Sequence, residues 1–89
     1  MDLQALRGEI NEIDGEILRL FLRRMEVVRE VVGYKAAHGL PVLQPARETE
    51  VLAWVGERAG EEMEPYARAL FETLMSLSRE MQEKILKAQ

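Results

Sequence analysis

Apolar residues spaced three and four apart, from Leu3 to Tyr34, limit what this chain can become. Leu3, Leu6, Ile10, Ile13, Ile17, Leu20, Val27, Val31 and Tyr34 fall on one stripe of a helix, in a near-heptad pattern. The spacing predicts one long helix over about residues 2–37, with Asp2 as its N-cap and His38-Gly39 as its stop. One position breaks the stripe: the place between Leu20 and Val27 is taken by Arg24. A guanidinium on an apolar seam is costly unless an anion meets it.

Two shorter helices are expected after it. Leu40 to Gln44 form a connection punctuated by Pro41, and Pro45 suits the first turn of a helix over about 45–59 that ends at Gly60. Its apolar stripe is Val51, Leu52 and Val55, with Arg47 and Glu48 one turn earlier at the start of the same face. An acidic linker, Glu61 to Glu64, leads to Pro65 and a third helix over about 65–88. Phe71, Leu74, Met75, Met81 and Ile85 form its inner face, interrupted by Ser78 and Gln82 at i and i+4. No strand pattern or internal repeat occurs, so the fold class is all-α.

A chain of 89 residues makes one domain with a modest core. That core is too small for the long helix. About 35 residues extend ~52 Å, whereas a compact chain of this size has a radius of gyration of ~12 Å. The uncovered stripe calls for a partner, the simplest being a second copy. Two long helices running antiparallel about a two-fold axis, crossing near residues 18–20, would bring Arg7 of one chain toward the Arg24–Lys35 segment of the other.

Composition narrows the function. The absence of Cys removes disulfides and thiolate metal sites, and a single His makes a zinc site improbable. The net charge of −4 argues against nucleic acid. No run of about 18 apolar residues offers a membrane span, and no basic-then-apolar leader opens the chain, so a cytoplasmic protein is expected.

The polar residues in or beside the apolar faces are Arg7, Arg24, Lys35, Arg47, Glu48, Ser78 and Gln82. Each has an ordinary reading alone: a snorkelling arginine, a helix C-terminal lysine, a solvated first turn, border residues. Together, four cations, a carboxylate, a hydroxyl and an amide describe a pocket for a small, doubly anionic, hydroxylated molecule. No nucleophile–base pair or metal cluster accompanies them. Such a set binds and polarises rather than forming covalent bonds. His38, Trp54 and the methionines read as structural.

These residues carry a resemblance across nearly the whole chain. Ala5-Leu6-Arg7 with Ile10 and Ile13-Asp14, Arg23-Arg24-Met25-Glu26 with Val31 and Lys35, Pro41-Val42 with Arg47-Glu48, and Ser78 with Gln82 resemble the all-α (AroQ-type) chorismate mutases. The resemblance implies an intertwined homodimer of three-helix chains that rearranges chorismate to prephenate without a cofactor. It further implies that Arg24 and the partner chain's Arg7 hold the two substrate carboxylates and that Ser78 assists. Lys35 and Gln82 would donate to the ether oxygen, Glu48 would accept from the ring hydroxyl, and Arg47 would order the site. Gln44 stands where many members carry Asp, so its contribution is expected partly from the backbone. Two alternatives stand beside this: an isochorismate-pyruvate lyase of the same fold, and a non-catalytic dimerisation or regulatory module of a larger aromatic-biosynthesis enzyme.

Overall fold

The computed structural model describes residues 2–89. Its first helix, α1, spans Leu3–Ala37. Asp2 caps it, its Oδ1 accepting from the Ala5 N–H at 2.8 Å. At the other end Gly39 takes a left-handed φ of 66°, and the Leu40 N–H turns back to the Lys35 carbonyl at 2.9 Å. That six-to-one bond closes a Schellman turn, for which glycine is the residue without a Cβ penalty.

The second helix, α2, spans Pro45–Ala59 and begins on its proline. Gly60 (φ 85°) ends it. The third, α3, spans Glu64–Lys87, its first turn tied by Arg68 Nε donating to Glu64 Oε1 at 2.9 Å. Among the described residues there is no strand, and the fold is all-α.

α3 packs against both α1 and α2, while α1 and α2 have no close backbone approach to each other. The chain measures 54 × 28 × 14 Å. Its thinnest dimension barely exceeds one helix diameter of about 10–12 Å, so the helices form one layer with no second layer to enclose a core. The radius of gyration, 16.2 Å, is well above the ~12 Å of a compact chain.

The core is correspondingly small: Val28, Val32, Val55 and Met75 are its buried apolar residues. In the second half of α1 this departs from the expected stripe. Val28 and Val32 face inward at 8% and 1% exposure, while Val27 and Val31 are 48% and 39% exposed. Steps of three and of four from Arg24 lie about 60° and about 40° to either side of it, and α3 lies on the four-step side. In the first half the stripe is half-exposed, and among the described residues α3 approaches it only near Ile17 and Leu20, through Leu70, Phe71 and Leu74. Leu3, Leu6, Ile10, Ile13, Ile17 and Leu20 are all between 44% and 61% exposed.

Candidate active site

Seven of the eight residues singled out from the sequence border one recess of about 230 Å³. Arg24 and Lys35 come from α1, Gln44 from the connection, Arg47 and Glu48 from the first turn of α2, and Ser78 and Gln82 from α3. Val28, Val31, Val42, Val51 and Met75 wall it. The volume lies just under the ~300–1,000 Å³ of ordinary small-molecule pockets, which suits a small ligand. Helical spacing explains the convergence: 24, 28 and 35 share a face of α1, and 75, 78 and 82 share a face of α3.

Arg24 is anchored from α3. Its Nη1 donates to Ser78 Oγ and, at 3.5 Å, to the Leu74 carbonyl, and Ser78 Oγ donates to the same carbonyl at 2.9 Å. Burial lowers the Arg24 pKa from its ordinary value, and the positive charge of Arg47 lowers it further. An anion in the recess would relieve both effects.

Lys35 closes the other end. Its Nζ donates to the Val42 carbonyl at 2.7 Å and to Gln82 Oε1 at 2.9 Å. One of the three ammonium N–H groups is left over. Burial pulls the Lys35 pKa down, and the negative charge of Glu48 opposes that. Gln82 is 4% exposed. An ammonium only donates, so it fixes the amide oxygen toward itself and turns the Gln82 NH₂ the other way as a donor. Among the described residues that NH₂ has no protein acceptor.

Glu48 is held by a residue the sequence reading passed over. Arg79 of α3 donates through Nη1 to both Glu48 carboxylate oxygens, and its side chain also borders the recess. The signal for it was available: Arg79 lies four residues after Met75 and three before Gln82, on the edge of the polar face. It was not among the residues singled out from the sequence.

The remaining sequence candidates stand differently. Gln44 turns its Nε2 back to the Pro41 carbonyl at 2.8 Å, bracing the connection. Arg47 lies at the rim, paired with Glu50 at 2.8 Å, both side chains more than two-thirds exposed. Arg7 is exposed on the far half of α1. Seventeen helical residues separate it from Arg24, ~25 Å along the axis, so the single chain does not bring it to the recess. His38 stacks on Tyr34, ring centroids 3.9 Å apart, and Arg58 lies 4.4 Å over Trp54.

The recess thus gathers four cations around one carboxylate in a chain of net charge −4. Such a field concentrates a small polyanion locally. Among the described residues no group of His, Asp or Glu could hold a metal ion, and no helix is long and apolar enough to cross a membrane.

Comparison with known proteins agrees with this chemistry. The family described as chorismate mutase type II matches residues 6–83. The T-protein of Haemophilus influenzae is 44% identical over 50 residues, covering 56% of this chain and 13% of that protein. The 4-amino-4-deoxychorismate mutase of Streptomyces venezuelae is 39% identical over 46 residues, 52% of this chain and 45% of that protein. The bifunctional chorismate mutase/prephenate dehydratase of Aquifex aeolicus is 40% identical over 50 residues, 56% of this chain and 14% of that protein. The chain therefore matches less than half the length of each of these relatives. No solved structure matches it.

Proposed function

The chain belongs to the type II chorismate mutase family, and on that premise we propose that its recess rearranges chorismate to prephenate, the branch step toward phenylalanine and tyrosine, in the cytoplasm. The observation that carries the reading is the hydrogen bond between Lys35 and Gln82, two residues that border the same cationic recess and each keep an N–H donor to spare.

The reaction is unimolecular and pericyclic. It needs no general base, nucleophile or cofactor. As the C–O bond breaks, negative charge grows on the ether oxygen. Lys35 and Gln82 stabilise that charge more than they stabilise the ground state, which lowers the barrier. Arg24, supported by Ser78, holds one carboxylate of the substrate, and Arg7 of a second copy holds the other. The two clamps keep the enolpyruvyl side chain folded over the ring. Glu48 accepts from the ring hydroxyl. Arg47 and Gln44 close the rim.

The homodimer in this proposal is supported by two features of the single chain. Its α1 stripe is uncovered from Leu3 to Leu20, and Arg7 stands on that same half of α1, away from its own recess. Antiparallel pairing of two α1 helices covers the first and delivers the second.

A second substrate is suggested by the Streptomyces venezuelae relative: the amino analogue of chorismate, in which an amino group replaces the ring hydroxyl. The deciding experiment follows the absorbance of chorismate, and separately of isochorismate, with purified protein and identifies each product. Prephenate supports the proposal. Pyruvate release from isochorismate assigns the lyase reaction instead, and unchanged absorbance from a dimeric protein assigns a non-catalytic module.

A further inference from the structure

Among the described charged residues that border the recess, Arg79, paired with Glu48, is the one to which the proposed chemistry gives no role. The pair joins the first turn of α2 to the middle of α3, and both side chains are shielded, at 25% and 30% exposure. Among the described residues, every other ion pair is more open and spans three or four residues of one helix. A local surface pair of that kind contributes little. A cross-helix pair at a ligand pocket instead sets the charge that the ligand meets.

Among the described residues, Glu48 is the only carboxylate bordering the recess. Both of its oxygens already accept from Arg79 Nη1, so an adjacent positive charge offsets part of its negative charge, while the remainder still favours the Lys35 ammonium. The carboxylate keeps lone pairs with which to accept from a neutral hydroxyl. With Arg79 beside it, it offers a cation on the ligand less net attraction than an unpaired carboxylate would. A primary amine on the ligand is ammonium at neutral pH. Set against Glu48, that ammonium would also stand beside Arg79, with Lys35 and Arg24 across the recess.

We infer that Arg79 is a specificity-determining residue: by offsetting the charge of Glu48 and adding its own positive charge beside it, Arg79 makes the recess select a dicarboxylate bearing a neutral hydroxyl over the amino analogue that carries a positive charge at the same ring position. This rests on the proposed mutase reading and on Glu48 facing the ring substituent. Arg79 acts through Glu48 and is not itself required by the bond rearrangement. The like-charge repulsion it introduces against the wrong ligand is a device for discrimination rather than affinity.

The test compares kcat/KM for chorismate and for its 4-amino-4-deoxy analogue in three proteins: the unaltered chain, Arg79→Met, which keeps the length of the side chain without its charge, and Arg79→Lys, which keeps the charge. The unaltered chain is expected to favour the hydroxyl substrate. Arg79→Met should move the ratio of the two kcat/KM values at least tenfold toward the amino substrate, and Arg79→Lys should stay within about threefold of the original ratio. A proportional loss on both substrates in Arg79→Met, with the ratio unmoved, overturns the inference while leaving the mutase reading intact. So does a preference of the unaltered chain for the amino substrate. Loss of both activities in Arg79→Met puts the decision on Arg79→Lys: a retained ratio supports the charge argument, and a shifted one overturns it. An unaltered chain that turns over neither compound overturns the mutase reading, and this inference with it.

Discussion

Lys35 on α1 donates to Gln82 on α3 at 2.9 Å although 47 residues separate them in sequence. The contact orients both side chains at once. The ammonium fixes which way the amide faces, and the amide holds the ammonium at the end of the recess.

Removing the ammonium is the most direct test. Lys35→Ala is expected to lower kcat at least about a hundredfold, because one well-aimed donor to developing negative charge is worth on the order of 3 kcal/mol. The oligomeric state should persist, since the apolar positions from Leu3 to Leu20 that call for a partner are left intact. Initial rates and sedimentation of the same sample check both. Near-normal turnover would remove Lys35 from the proposed role.

The lowered Lys35 pKa has a sign that can be read in two ways. Catalysis needs the ammonium, so kcat/KM should decline with rising pH below the ordinary lysine value of 10.5. Lys35→Arg should carry that decline upward. Glu48→Gln removes the charge that opposes desolvation and should carry it downward in whatever activity remains. Folding stability responds oppositely. Between the lowered folded pKa and 10.5 the unfolded chain binds more protons, so the Lys35 contribution to stability rises with pH. Denaturant unfolding across that window should show the rise, and Lys35→Met should flatten it.

Shared sites predict complementation. Arg7→Ala and Arg24→Ala should each be nearly inactive. If Arg7 acts across the dyad, a mixed dimer of the two variants holds one intact site. Random re-pairing of equal amounts then restores about a quarter of the activity of the unaltered protein. Mixing that restores nothing would place both arginines in the same chain's site or outside it.

The uncovered stripe predicts concentration-dependent stability. Ile13, 52% exposed in the single chain, should be buried on pairing. Ile13→Glu is expected to abolish the dimer, because an unpaired carboxylate cannot be enclosed there without a penalty of several kcal/mol. With only a single layer of helices remaining, the monomer should lose cooperative thermal unfolding. Size-exclusion and circular dichroism report the two effects. A monomeric, cooperatively folded Ile13→Glu protein would count against the need for a partner.

Gly39 offers a quieter prediction. An alanine at its φ of 66° costs about 1–2 kcal/mol, and the turn it forms holds the Lys35 carbonyl. Gly39→Ala should lower the unfolding midpoint and modestly lower kcat, with KM for the substrate nearly unchanged.

The sequence by itself determined the three helices, because caps, prolines and the three-four spacing are local and need no distant neighbour. It also singled out Arg24, Ser78 and Gln82, because polar groups on an apolar face are conspicuous wherever the face ends up. The inward register of α1 was decided only by tertiary structure. Val27 and Val28 both satisfy the helical period, and the side on which α3 lies chose Val28. The role of Arg79 was likewise decided by tertiary structure: its spacing from Met75 and Gln82 is legible, but a charge next to Ser78 gains meaning only when α2 brings Glu48 across to it. Local chemistry fixes where helices begin and end. Which of two adjacent side chains meets another helix depends on a rotation of a few tens of degrees that only packing sets.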